Sequence, residues 1–244
     1  MNKPDFSEYE NAILESLSLL TSKRYKYIEY FDKDEYRLYR RNNLLYFSIE
    51  NEKIQELEVE INNPKNSIQE YLENLSSLKS LTIYINNTKE SIIDINLHIE
   101  TLTNLSIYTK GNVRITVSFE NLPNIYSLMI VGDSIGNKEL LNIDSIKNAK
   151  SLERLEIISI PIFKIPDSIR HLNNLKDLVL RDCGLREFDD LIFEIETLEW
   201  LDLQGNKDLK IKKNIRDRLY EKLGLFNPPE HYMDEDLYSL FNEK

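Results

Sequence analysis

Three histidines and one cysteine are the side chains of this sequence best suited to metal binding or nucleophilic catalysis. His98, His171 and His231 lie in different segments, without a second histidine at the spacing that places two ligands on one helix face. Cys183 has no second cysteine to pair with. The acids at 234–236, near His231, are better explained by a solvated helix start than by an acid and base pair. The six glycines are scattered and form no phosphate-binding loop. We therefore expect no metal, no cofactor, no small-molecule substrate and no enzyme activity.

Composition narrows the class of protein and of partner. The chain has 244 residues, 41% hydrophobic and 30% charged, and no apolar run long enough to cross a bilayer. Acids within the first 20 residues argue against a secretory signal, and a single cysteine fits a reducing compartment. A formal charge of −11 repels nucleic acid and anionic membranes, so a basic or neutral protein surface is the easier partner. The expected location is cytoplasmic.

A repeat with the pattern L-x-x-L-x-L, allowing Ile or Val for Leu, organises more than half of the chain. Its copies begin 23 to 27 residues apart, at Ile54, Leu78, Leu102, Ile125, Leu152, Leu175 and Leu198. Within a copy, apolar positions 4 and 6 have the two-residue period of a strand, while positions 14, 18 and 21 have helical spacing. Each unit is thus predicted to be a strand followed by a return segment.

Position 9 of the repeat suits an asparagine, whose amide can satisfy backbone groups of the turn and of the next unit. The seven copies place there Asn62, Asn86, Lys110, Asp133, Ile160, Cys183 and Asn206. This ladder should be weakest at Lys110 and Ile160. Because Cys183 fills a repeat position, it is expected to be a buried structural thiol.

Residues 54 to about 215 resemble the 23-residue leucine-rich repeats. The stretch from Ile165 to Leu175 resembles the L-P-x-x-I-x-x-L-x-x-L variety, found in bacterial proteins and in Ras-associated scaffold proteins. The resemblance implies an α/β solenoid with a curved parallel sheet on its concave face, helical or irregular return segments outside, and partner binding on the concave face. Bacterial effector ubiquitin ligases with similar repeats use a separate catalytic domain, and that activity is not carried over.

Atypical segments at both ends should cover the core of the solenoid. Residues 1–50 are predicted to be an N-terminal cap, with a helix over roughly 8–21 and a hairpin that turns at Asn42 and Asn43. The repeat array spans 51–210. Residues 211–244 are predicted to be a C-terminal helical cap, with a last short helix from Met233 to Phe241 after Pro228 and Pro229.

Strand alternation places repeat positions 3, 5 and 7 on the concave face. Position 7 then forms a row on neighbouring strands, and the candidate binding residues are Tyr84, Tyr108, Met129, Val131, Ile158, Arg181 and Trp200. Strand propensity alone also favours Tyr, Val and Ile at such positions, and Trp200 could instead be covered by the C-terminal segment. The three acids of the first strand, Glu56, Glu58 and Glu60, could meet a basic partner or discourage edge pairing.

The function predicted from these patterns is a protein-interaction module or scaffold that binds on the concave face. A delivered bacterial effector or antitoxin that also acts by binding is an alternative. An enzyme of unrecognised type is an alternative of another class.

Overall fold

The computed structural model describes residues 8–21, 23–27, 44–61, 68–133 and 138–229. The helix expected near residues 8–21 is present as α1 (Glu8–Thr21). It is followed by strands β1 (Arg24–Tyr27) and β2 (Leu44–Glu50), which pair in parallel. The turn predicted at Asn42 and Asn43, and the helix predicted from Met233 to Phe241, lie outside the described residues.

A hairpin joins the cap to the first repeat. Strand β3 (Lys53–Ile61) pairs antiparallel with β2. The two residues between them, Asn51 and Glu52, have φ angles of 51° and 64°. Two consecutive left-handed residues are what a tight hairpin turn requires. The first repeat strand is therefore also the second strand of a hairpin.

From β3 onward the repeat strands form the predicted parallel array. Further strands are β4 (Ser80–Asn96), β5 (Asn104–Ser118), β6 (Ser127–Gly132), β7 (Lys138–Leu140), β8 (Arg154–Ile158), β9 (Asp177–Arg181), β10 (Trp200–Asp202) and β11 (Leu225–Asn227). In the described part of the chain the sheet order is β1-β2-β3-β4-β5-β6-β8-β9-β10-β11, with β7 paired to β5. The seven repeat strands run in parallel and in one sheet, as predicted. The seven repeats therefore stack as a solenoid, the architecture expected from the repeat pattern.

The return segments are helical in only part of the array. Helix α2 (Gln69–Leu72) and three 3-10 helices, Ile143–Asn148, Asp167–His171 and Asp190–Glu194, follow the prediction. In the second and third repeats the prediction is wrong, and in the fourth repeat a strand precedes the 3-10 helix. There, the second halves of β4 and β5 pair with each other, and β7 pairs with β5, as a parallel sheet on the return side.

The reason lies in the spacing of the apolar residues in those repeats. Ile93, Ile95, Leu97 and Ile99 alternate with polar neighbours and are all buried. The corresponding residues of the next repeat, at 113, 115, 117 and 119, alternate in the same way. Period-two alternation with β-branched residues favours a strand over a helical turn.

Between these layers lies one continuous apolar core, which includes positions 1, 4 and 6 of every repeat. At the N-terminal end, Ile13, Leu14 and Leu17 of α1 pack on it, and buried Glu10 accepts a hydrogen bond from the amide of Ile54 (2.6 Å). Helix α3 (Lys213–Lys222) and β11 follow the last repeat, where Leu219 and Phe226 join the core. Both ends of the solenoid core are thus covered by atypical elements.

None of the described helices combines the length and the apolar character needed to span a bilayer.

Candidate functional site

The candidate site is the sheet face that carries repeat positions 3, 5 and 7, which we call the concave face. The strand register brings the predicted row together, because Tyr84 is paired with Tyr108, Tyr108 with Val131, and Val131 with Ile158. Arg181 continues the same row on β9. Neighbouring strands place such side chains about 5 Å apart. The row exists as predicted, but its members differ in exposure.

On the first strands of the concave face, the side chains are covered by other parts of the protein rather than exposed to solvent. Glu58 is 2% exposed, and its carboxylate accepts hydrogen bonds from the backbone amide of Tyr46 (3.2 Å) and from the hydroxyl of Tyr84 (3.0 Å). Glu56 accepts a hydrogen bond from Ser48, and Glu60 forms an ion pair with Lys23 (3.0 Å). The acids of the first strand therefore bind groups of the protein itself. These contacts explain the three acids without a basic partner and without a role against edge pairing.

Tyr84 was expected in an exposed row, and this expectation is wrong. The side chain is only 7% exposed, and its ring stacks on that of Tyr108 with 5.3 Å between the centroids. Burial, followed by the neighbouring Tyr108, raises the pKa of the Tyr84 phenol well above its ordinary value. Tyr84 therefore packs within the protein and supports the ring of Tyr108.

The middle of the concave face is more accessible. Tyr108, Met129, Val131 and Ile158 are half-buried, which leaves part of each side chain in contact with solvent. Val179, beside them on β9, is buried. We call Met129, Val131 and Ile158 the central patch. Among the described residues, it is an apolar part of the concave face that stays in contact with solvent.

Two arginine and aspartate pairs border the central patch on the C-terminal side. Arg154 binds Asp177 through Nε (2.9 Å) and a terminal nitrogen (2.8 Å). Arg181, a predicted site residue, binds Asp202 on the next strand. Glu156 lies between the two arginines and is half-buried. The sequence places Glu156 on this face without assigning it a role.

Asp202 fixes the last strands of the face to one another. It is fully buried and accepts hydrogen bonds from Arg181, from Asn227 Nδ2 (2.8 Å) and from the amide of Gln204 (3.0 Å). Burial alone would raise the pKa of Asp202, but these donors together hold it below its ordinary value. The carboxylate thus connects β9, β10 and β11 and orients Arg181.

Trp200 lies at the C-terminal end of the concave face and is half-buried. Asp177 of β9 and Leu225 of β11 are its partners in register. The indole Nε1 is shielded from solvent and has no hydrogen-bond acceptor in the part of the chain that the structure describes. Trp200 is therefore neither fully covered by the C-terminal cap nor freely exposed.

Asn206 performs the position-9 role in full, at the turn that follows β10. Its Nδ2 donates to the carbonyls of Leu180 and Leu203 (both 2.7 Å), and its Oδ1 accepts from the amides of Cys183 (3.0 Å) and Leu185 (3.1 Å). Asn86, by contrast, is exposed, because β4 and β5 continue as paired strands through that position. The ladder is needed only where strand pairing ends.

Cys183 is the buried thiol that its repeat position predicts. It is 0% exposed and free, and its Sγ donates to the carbonyl of Ile157 (3.2 Å). Burial, as the largest cause, raises the pKa of the thiol to about 12. A thiol with that pKa is almost entirely protonated at neutral pH and is a poor nucleophile.

The residue before position 9 adopts a left-handed backbone in the last three repeats. Ser159, Asp182 and Gly205 have φ angles of 55°, 53° and 77°. Only glycine adopts this conformation without a steric penalty. The same turn geometry therefore carries strain at Ser159 and Asp182 and none at Gly205.

The return segments form the opposite side, which we call the convex side, and a cleft of about 630 Å³ lies there between two 3-10 helices. Its lining comprises Ile143, Asp144, Lys147, Ile162, Lys164, Pro166, Asp167, Ser168, Arg170 and His171. This cleft is the competing location for a binding site. Across the described residues, His, Cys, Asp and Glu side chains form no group of three or more that could hold a metal ion.

Comparison with known proteins yields structural neighbours only. No family model matches the sequence, and no curated protein matches it. Among solved structures, the chain is similar to an internalin (InlF) from Listeria monocytogenes, at 16% identity and a TM-score of 0.38, over 65% of this chain and 56% of that one. It is also similar to a leucine-rich-repeat protein of Leptospira interrogans, at 15% identity and a TM-score of 0.40, over 86% of this chain and 58% of that one. The match thus spans less than two thirds of either neighbour.

Proposed function

We propose that this leucine-rich-repeat protein is an interaction module that binds another protein on its concave face, centred on strands β6 to β10. The observation that carries the proposal is the central patch, where Met129, Val131 and Ile158 stay partly accessible on adjacent strands. Around it lie Tyr108, Arg181 and Trp200, and aromatic and arginine side chains are the types most enriched at the centres of protein interfaces.

The arrangement of rigid and apolar parts supports this function. The arginines that border the patch are held by Asp177 and Asp202, so less side-chain entropy is lost when a partner binds. The apolar side chains stand on paired strands rather than on loops, which fixes their spacing. An interface of this kind has an apolar centre and a polar rim.

The net charge limits the classes of partner that this protein can bind, and its single cysteine indicates the compartment in which it works. The formal charge of −11 disfavours nucleic acid and anionic membranes as partners and favours a neutral or basic protein surface. The single cysteine is free and buried, which suits a reducing environment, and we place the protein in the cytoplasm on that basis.

A comparison of two serine double variants tests the face. Met129→Ser/Ile158→Ser removes apolar surface from the central patch, while Ile92→Ser/Leu141→Ser removes two exposed apolar side chains of the convex side. Each variant and the wild type serve as bait in a lysate of the source organism, after circular dichroism has shown that they are folded. Retained proteins are quantified by mass spectrometry.

We expect a partner that wild type and the convex variant retain equally and that the concave variant loses. Loss of two contacts at the centre of an interface should weaken binding by about 2 kcal/mol or more. A partner lost only by the convex variant would show that the partner binds the convex side and would contradict the proposal.

A further inference from the structure

Glu156 occupies the centre of the concave face, where no described residue forms a direct ion pair with it. It pairs in register with Met129 on one side and Val179 on the other, and Ile158 is the next residue of β8 on the same face. Its carboxylate makes no hydrogen bond or ion pair with the described residues, although both Arg154 and Arg181 interact with it electrostatically. An acid thus lies half-buried among apolar side chains.

The neighbouring arginines do not neutralise the negative charge of Glu156. Arg154 is neutralised by Asp177 and Arg181 by Asp202, each in a direct ion pair. Two arginines therefore face three carboxylates, and Glu156 is the carboxylate that has no ion-pair partner. Its charge is the net charge of this part of the face. Because half-burial reduces the screening by water, that charge acts more strongly on a bound partner than a fully exposed acid would.

The side chains next to Glu156 suit the apolar stem of a lysine or arginine from a partner. Lysine and arginine carry a charged end on an apolar stem, and such stems pack along apolar surfaces. Met129 and Ile158 provide that surface next to the carboxylate. An acidic or phosphorylated group would meet like charge at the same place, and a purely apolar group would leave the carboxylate desolvated without a partner.

We infer that Glu156 receives a lysine or arginine side chain of the protein partner, with the stem packed on Met129 and Ile158. The inference rests on the proposed function, since it names the partner chemistry of that same face. Complementary charge at the centre of an interface fixes its register and excludes partners of the wrong sign.

A displayed library of random peptides is the probe that tests this. Peptides are selected on the wild-type protein, and their affinities are then measured for Glu156→Gln and for a control, Glu120→Gln. Glu120 is exposed in a turn outside the strands, so the control changes net charge by the same amount. The concave variant Met129→Ser/Ile158→Ser reports where the peptides bind.

We expect the selected peptides to be enriched in Lys or Arg beside apolar residues. Their affinity should fall about tenfold on Glu156→Gln, as for loss of a charge-assisted hydrogen bond, and should be unchanged by Glu120→Gln. Replacing the peptide's basic residue by norleucine should cost the same factor, and the two changes together should cost little more than either alone.

Two other results are distinguishable from this one. Peptides that lose affinity for the concave variant but bind Glu156→Gln as well as wild type would overturn the inference and leave the proposed function intact. Peptides that ignore the concave variant, or a library that yields no binder to wild type, would count against both.

Discussion

Asn206→Ala should be among the most destabilising single substitutions in this protein. The side chain is fully buried and makes four hydrogen bonds, two to amides of the neighbouring repeat. Alanine leaves the amides of Cys183 and Leu185 without an acceptor. A buried unpaired group costs about 1 to 3 kcal/mol, so the free energy of unfolding should fall by about 3 to 5 kcal/mol.

Urea unfolding followed by circular dichroism measures this loss. The matched control is Asn174→Ala, because Asn174 is exposed and donates a single hydrogen bond to the carbonyl of Lys150 (2.8 Å). The control should change stability by no more than about 0.5 kcal/mol. Hydrogen exchange of the native variant should accelerate first at the amides of Cys183 and Leu185, where the acceptor is lost.

Equal stability of Asn206→Ala and Asn174→Ala would refute this reasoning. It would mean that strand pairing and core packing hold the turn after β10 without the asparagine. Unchanged exchange at the two amides would lead to the same conclusion independently of the global unfolding.

Three further predictions concern single residues of the cap and the repeats. Burial is the largest cause that raises the pKa of Glu10, so its carboxylate costs stability as pH rises above the unfolded value of 4.5. Glu10→Gln can still accept a hydrogen bond, and urea titrations should therefore show it to be more stable than wild type at pH 7. The difference in stability should vanish below pH 4.5. A difference that does not depend on pH would contradict this. A thiol reagent should label Cys183 far more slowly in the native than in the urea-unfolded protein, and equal rates would contradict its burial. Ser159→Gly should raise the free energy of unfolding by about 0.5 to 1 kcal/mol, whereas Gly205→Ala should lower it by about 1 kcal/mol or more. Thermal melts in which Ser159→Gly is the less stable of the two variants would rule out backbone strain.

Much of the fold follows from the repeat alone. Because positions 4 and 6 must be buried in every copy, the register of β3 to β10 and the membership of the concave face can be predicted from the sequence. The return segments could not be extrapolated in the same way. The helical spacing is most complete in the last three repeats, whereas alternation such as that of Ile93 and Ile95 favours strands in the second to fourth.

Exposure on the concave face was harder to predict than position. Alternation places Tyr84 and Glu58 on that face, but it cannot show that each is buried and that they bind each other. The pairs Arg154 with Asp177 and Arg181 with Asp202 also depend on neighbouring strands, which the repeat spacing brings into contact. Glu156 becomes a candidate only once both arginines are known to be occupied.

Photo-crosslinking from the two sides of the protein tests concave-face binding most directly. A photoreactive amino acid is placed at Met129 in one variant and at Lys147, in the convex cleft, in another. Each variant is irradiated with the partner captured by the wild type. We expect a covalent complex from position 129 and none from position 147. A complex from position 147 alone would contradict binding on the concave face.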